Sequence, residues 1–186
     1  EKLNKIISHN PKLNNLKILF RPHPFPSHNK KYDISSLENV VMDPDIRTDK
    51  NSLLNGRTIT KLSYYPSLIK NAEIIICGPT TMVIESAMFN KKTILIGIDG
   101  SNYFNHKNTL NNMEHLKNLK RFPNLLINNN LQELEFQIIK LMKLKLDHNL
   151  KKKINRYLNY ILTEKAENYF ENFSKCMKNL IKNYEI

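Results

Sequence analysis

Two short stretches of this chain carry residue types that could hold a phosphate. One is Arg21-Pro22-His23-Pro24, which continues the apolar run over residues 16–20. Arginine offers a planar, bidentate donor to phosphate oxygens. Histidine can donate to a departing phosphate, stabilise it or protonate it, and His23 is the candidate catalytic residue on that ground. Prolines at alternate positions fix φ and push each preceding residue toward extended geometry, so this arm is stiff and holds Arg21 and His23 in place. The other stretch is Gly78-Pro79-Thr80-Thr81, with Glu85 following. It comes after the β-branched run at 74–77, which suits a strand covered on both faces. Gly78 and Pro79 break that run, and the hydroxyl of Thr80 or Thr81 then caps a helix. The unpaired N–H groups and dipole of such a helix start make an anion site. Glu85 lies one helical turn beyond Thr81, on the side from which it could reach a sugar hydroxyl. A structural reading competes at each place: a loop histidine at 23, and an ordinary β–α turn with a solvated carboxylate at 85.

The elements that must position these groups follow from the pattern of apolar residues. Leu3, Ile6 and Ile7 have helical spacing, and Asn10-Pro11 ends that helix. Short strands are expected at 16–20 and at 40–42, the second stopped by Asp43-Pro44. Residues 27–36 and 45–60 are polar and read as loops. A helix is expected over 62–72, with Leu62, Tyr65, Leu68 and Ile69 on one face, then the strand at 73–77 and a helix over 80–89. Another buried strand spans 93–98 and ends at Asp99-Gly100. A helix over 111–119, an edge strand at 125–127 and an amphipathic helix over 131–146 follow, with Asn128-Asn129-Asn130 as a turn and helix cap. Two more helical segments, broken near Thr163, fill 149–184. Strands alternating with helices signal a parallel α/β sheet. Such a sheet binds ligands outside the carboxyl ends of its strands. Those ends carry Arg21 and His23, then Asp43, then Gly78 to Thr81, then Asp99 and Gly100. The expected fold is therefore an α/β parallel sheet flanked by helices. It is read as a single, incomplete domain over 1–186, with its core at 16–146 and extra C-terminal helices at 147–186.

Composition narrows the function. The 186 residues contain only 4 glycines, and neither a Walker A nor a G-x-G-x-x-G pattern occurs, which argues against a glycine-rich nucleotide loop. Cys77 and Cys176 fit no metal or redox spacing, and Cys77 reads as a small core residue. His9, His23, His28, His106, His115 and His148 show no pair at ligand spacing with a carboxylate partner, which predicts a metal-independent protein with no cofactor. No elbow motif supports a serine triad. The formal charge of +12, from 29 Lys+Arg against 17 Asp+Glu, raises anionic substrates, anionic membranes and nucleic acid as partners. The joint richness in Lys, Asn and Ile also fits compositional drift. Recognition-helix, RNP and OB signatures are missing, which argues against nucleic acid.

These residues carry a resemblance. Arg21-Pro22-His23-Pro24 resembles the HP motif of GT-B glycosyltransferases that use cytidine-nucleotide donors. Gly78-Pro79-Thr80-Thr81 with Glu85 is similar to the paired Ser-Ser or Ser-Thr motif of the same enzymes, and Asn71-Ala72-Glu73-Ile74-Ile75-Ile76 resembles the entry to their strand. The group includes bacterial sialyltransferases, Kdo transferases and CDP-glycerol glycerophosphotransferases. The likeness runs from about residue 17 to residue 100, with Thr-Thr standing where the group has Ser. It implies the C-terminal, Rossmann-like, donor-nucleotide half of a GT-B transferase, moving a glycosyl or glycerophosphate group from a CMP- or CDP-activated donor in bacterial surface polymer synthesis. It further implies that His23, Thr80 and Thr81 meet phosphate and Glu85 the ribose. The partner would be an N-terminal half that this chain lacks. The expected location is cytoplasmic, with peripheral contact at the anionic inner face of the membrane. In that group a late helix crosses to the missing half, so an exposed apolar patch is expected around Tyr157, Leu158, Tyr169, Phe170 and Phe173. A sugar-nucleotide epimerase of the UDP-N-acetylglucosamine 2-epimerase type shares the fold, but would be expected to carry Gly-Gly before its Glu.

Overall fold

Helix α1 (Lys2–His9) buries Ile6 and Ile7 and ends at Asn10, whose extended backbone is the geometry that a following proline imposes. The computed structural model describes residues 1–22, 33–44, 64–98, 109, 110, 116 and 119–162. The chain divides into two compact units, 1–68 and 69–186.

In the first unit, strands β1 (Ile18–Phe20) and β2 (Val40–Met42) pair in parallel, Phe20 opposite Met42. Asn39 ties this pair to α1. Its backbone N–H donates to Asn4 Oδ1 at 3.0 Å, and its side-chain amide donates to Ser8 Oγ at 2.9 Å. The amide oxygen in turn accepts from Lys17 Nζ at 2.9 Å. Leu19 and Val41 are register partners and both are exposed. Helix α2 (Tyr64–Asn71) falls within the helix expected over 62–72 and buries Ile69; residues 62 and 63 lie outside the described residues.

The second unit holds three parallel strands in the order β3 (Ile74–Cys77), β4 (Lys92–Ile96), β5 (Leu125–Asn128). The five described strands thus form two sheets, where the alternation predicts one; every pairing is parallel, as predicted. Strand β4 is central and covered on both faces. Thr93 and Leu95 face α3 (Met82–Met88) and α5 (His148–Leu162), where Val83, Ile84, Ala87, Phe122, Ile154 and Leu158 close a core. Ile94, fully buried, and Lys92 face the other side, against α4 (Leu134–Lys143). Leu134, Ile138 and Leu141 form the buried stripe of α4, and Asn130 caps the 3-10 turn before it by accepting from Gln132 N.

The α3–β4 turn shows how local chemistry sets the sheet. Asn90 takes φ 53°, a left-handed conformation that Asn tolerates better than most residues. Its N–H donates to Ala87 O and that of Lys91 to Ser86 O, both at 2.8 Å, closing the last helical carbonyls in a Schellman arrangement. Buried Ser86 and Thr93 then meet hydroxyl to hydroxyl at 2.8 Å and lock helix to strand.

The late aromatic residues that are described pack inward. Leu158 is buried, and Tyr157 meets Phe122 edge to face with centroids 6.0 Å apart. The expected exposed patch is therefore not found at 157 and 158. Tyr169, Phe170, Phe173 and the break near Thr163 lie outside the described residues. No helix among the described residues is long and apolar enough to cross a membrane.

Candidate functional site

In the first unit the parallel register places Arg21 and Asp43 side by side, one residue past the ends of β1 and β2. Asp43 N donates to Phe20 O at 2.9 Å, carrying the ladder one step beyond the strands. Arg21 forms an ion pair with Asp43, whose side chain is fully buried. Tyr64, the first described residue of α2, donates its hydroxyl to the other carboxylate oxygen at 2.8 Å. The Arg21 guanidinium lies over the Tyr65 ring, 5.2 Å from its centroid. A carboxylate this deep is stable only when its oxygens are met by donors, and here both oxygens are met. Asp43, expected as a crevice residue, is thus the centre of a buried cluster. His23 lies outside the described residues.

The second unit carries the turn after β3. Gly78 and Pro79 are half-buried and Thr80 and Thr81 are exposed, so these residues do stand at the carboxyl end of a parallel strand. The capping differs from the expectation. Thr81 occupies the cap position of α3 with helical backbone angles, and its hydroxyl makes no cap bond. It donates instead to Glu85 Oε1 at 3.2 Å. Thr80 Oγ1 accepts from Met82 N at a long 3.4 Å. A helical φ and ψ at Thr81 turns its hydroxyl from the orphan N–H groups and along the helix, where the residue one turn later is Glu85. Helix α3 is also short, at seven residues, so its dipole is a minor contributor.

Glu85 has one oxygen committed to Thr81. The other, Oε2, is buried and has no hydrogen-bond partner among the described residues. Burial pushes the Cys77 thiol up to about 12, and the negative charge of Glu85 adds to the shift. The thiol is therefore a packing group and not a nucleophile near neutral pH, in line with its place against the core. Beside this turn, β4 is followed by Gly97, whose N–H donates to Asn128 O at 2.8 Å; a Cβ there would come within 2.8 Å of Asn129 Oδ1. Asp99 and Gly100 lie outside the described residues.

Two groups escaped the sequence reading. The apolar spacing places Tyr65 on a helix face and gives Tyr64 no role. The available signal was an acid directly before a proline at a strand end, which must be served by donors if buried, and adjacent tyrosines at a helix start can supply them. Among the described residues no group of three or more His, Cys, Asp or Glu is placed to hold a metal ion. Comparisons with protein-family models, with curated proteins and with solved structures find no match.

Proposed function

We propose that this chain is the donor-nucleotide-binding domain of a GT-B-type transferase acting in bacterial surface polymer synthesis. It takes a CMP- or CDP-activated donor and moves a glycosyl or glycerophosphate group, together with an N-terminal half supplied from outside residues 1–186. The observation that carries the reading is the turn after β3. A threonine hydroxyl and a carboxylate, one oxygen of which has no partner among the described residues, gather at the carboxyl end of a parallel strand, the edge at which α/β sheets bind nucleotides. In this reading Thr80 and Thr81 serve phosphate and Glu85 accepts from the ribose; the phosphate roles of Arg21 and His23, with His23 acting on the leaving phosphate, are carried from the resemblance of the sequence alone.

Calorimetric titration of CMP, CDP and UDP tests it. CMP or CDP binds more tightly than UDP to the wild type. His23→Ala and Thr81→Val each weaken binding roughly tenfold to a hundredfold, the size of one charge-assisted or buried hydrogen bond lost. Glu85→Gln acts on nucleotides and leaves inorganic phosphate competition unchanged. Absence of nucleotide binding by a folded protein containing both halves would refute the transferase reading, and equal affinity for UDP would refute only its cytidine part.

A further inference from the structure

We infer that Thr81 is a positioning residue for Glu85: its hydroxyl holds one carboxylate oxygen so that the other meets a ribose hydroxyl of the bound nucleotide. The inference rests on the donor-nucleotide reading and refines one contact in it, since the Thr81 hydroxyl then acts on the nucleotide through Glu85 and not on its phosphate.

A threonine hydroxyl has one proton to donate. At Thr81 that proton goes to Glu85 Oε1, at 3.2 Å, and the hydroxyl makes no cap bond. The backbone favours this choice. Thr81 has φ −59° and ψ −17°, and Glu85 N donates to Thr81 O at 3.1 Å, so the two side chains stand one turn apart on the same side of α3. β-Branching restricts χ1 of Thr81 and with it the direction of the hydroxyl. Val83, Ile84, Ser86 and Ala87 are buried and anchor the helix, so the freedom left to Glu85 is that of its side-chain torsions. The bond from Thr81 removes part of that freedom. Glu85 Oε2 is buried and has no partner among the described residues, a state that is costly until a donor arrives. The charge of Glu85 is felt at Cys77, the last residue of β3, which sets the carboxylate near the carboxyl end of that strand. A ribose hydroxyl is a donor and suits such an oxygen, whereas a phosphate oxygen is an acceptor of like charge and does not. The neighbouring threonine differs. Thr80 is exposed, and its Oγ1 accepts from Met82 N at 3.4 Å, which leaves its proton for an acceptor such as phosphate.

The experiment compares CDP with 2′,3′-dideoxy-CDP by calorimetry. It uses the full protein, Thr81→Val, Thr81→Ser, Thr80→Val, Glu85→Gln and the double variant of Thr81→Val with Glu85→Gln, the fold of each checked by circular dichroism. The wild type prefers CDP about tenfold or more, because the dideoxy ligand leaves a buried oxygen unpaired. Thr81→Val and Glu85→Gln each cut that preference about threefold or more. The double variant cuts it no further than Glu85→Gln alone, because the two residues act as one unit. Thr81→Ser restores the hydroxyl and retains the preference. Thr80→Val weakens both ligands alike and leaves the preference as in the wild type. A bond that only stabilises the helix start lowers the melting temperature in Thr81→Val with the preference intact, and that result overturns the inference. Equal weakening of both ligands by Thr81→Val gives its hydroxyl to phosphate and overturns it as well. So do additive losses of preference in the double variant. If Thr81→Val does not fold, Thr81→Ala takes its place in each comparison. A wild type that binds CDP and 2′,3′-dideoxy-CDP equally overturns the inference and leaves the donor-nucleotide reading standing. If the wild type binds no nucleotide, that reading fails and this inference falls with it.

Discussion

At the scale of single residues, the deciding quantity is what each polar group is given in exchange for water. Asp43 receives a guanidinium and a phenol, and is stable at full burial. Cys77 is buried and feels the negative charge of Glu85, so its proton is held more tightly in the folded chain than in the unfolded one. The consequence for stability has a definite sign. From the ordinary thiol value of 9.0 up to about 12 the unfolded chain has released the proton while the folded chain retains it, so this group's contribution falls as pH rises through that window. Reactivity gives the cleaner measurement. With Cys176 replaced by Ser, native Cys77 should react with iodoacetamide at pH 8 on the order of a hundredfold or more slowly than in the urea-unfolded chain, because only the thiolate attacks. Glu85→Gln should speed the native reaction only modestly, since burial is the larger cause. Comparable rates in native and unfolded protein would remove the packing role assigned to Cys77.

At the scale of elements, the second unit owes its order to helices that close both faces of β4. Helix α5 belongs to this core. Ile154 is fully buried in the cluster that includes Val83, Ala87 and Leu95, while its helix neighbour Lys152 is exposed. Ile154→Ala should cost about 2–5 kcal/mol in urea unfolding, the range for emptying a well-packed core position. Lys152→Ala should stay within about 0.5 kcal/mol of the wild type. A small effect at Ile154 would mean that α5 is not held by this core. The helical spacing of 149–184 showed that an apolar face exists, but not what it packs against. The structure shows its described part turned onto α3.

At the scale of the whole molecule, the charge of +12 attracts any polyanion, whatever the site does. Salt separates the two kinds of binding. Retention of an oligonucleotide should fall steeply with ionic strength, as expected where counterion release supplies the affinity. Binding of CDP should lose about tenfold or less over the same range, because few charges are engaged at a local site. Equally steep loss for both ligands would assign the CDP signal to diffuse charge and not to a built site.

Much of the fold was legible in the chain alone. The strands at 40–42 and 74–77, the stop at Asn10-Pro11 and the cap at Asn130 rest on local causes, namely apolar period, β-branching and the backbone limits of proline and asparagine. Parallel pairing followed from the alternation of strands with helices. Of the site, the turn after β3 was legible as a place, because Gly78 and Pro79 must break a strand. Its bonding was not. Whether the Thr81 hydroxyl caps its helix or reaches Glu85 depends on the backbone angles at one residue. The cluster at Asp43 was hidden for a different reason: it joins residues 21, 43, 64 and 65, which no local rule connects. Only packing decides which donors surround a buried carboxylate, since the energy of burying it depends on partners that the chain brings from a distance.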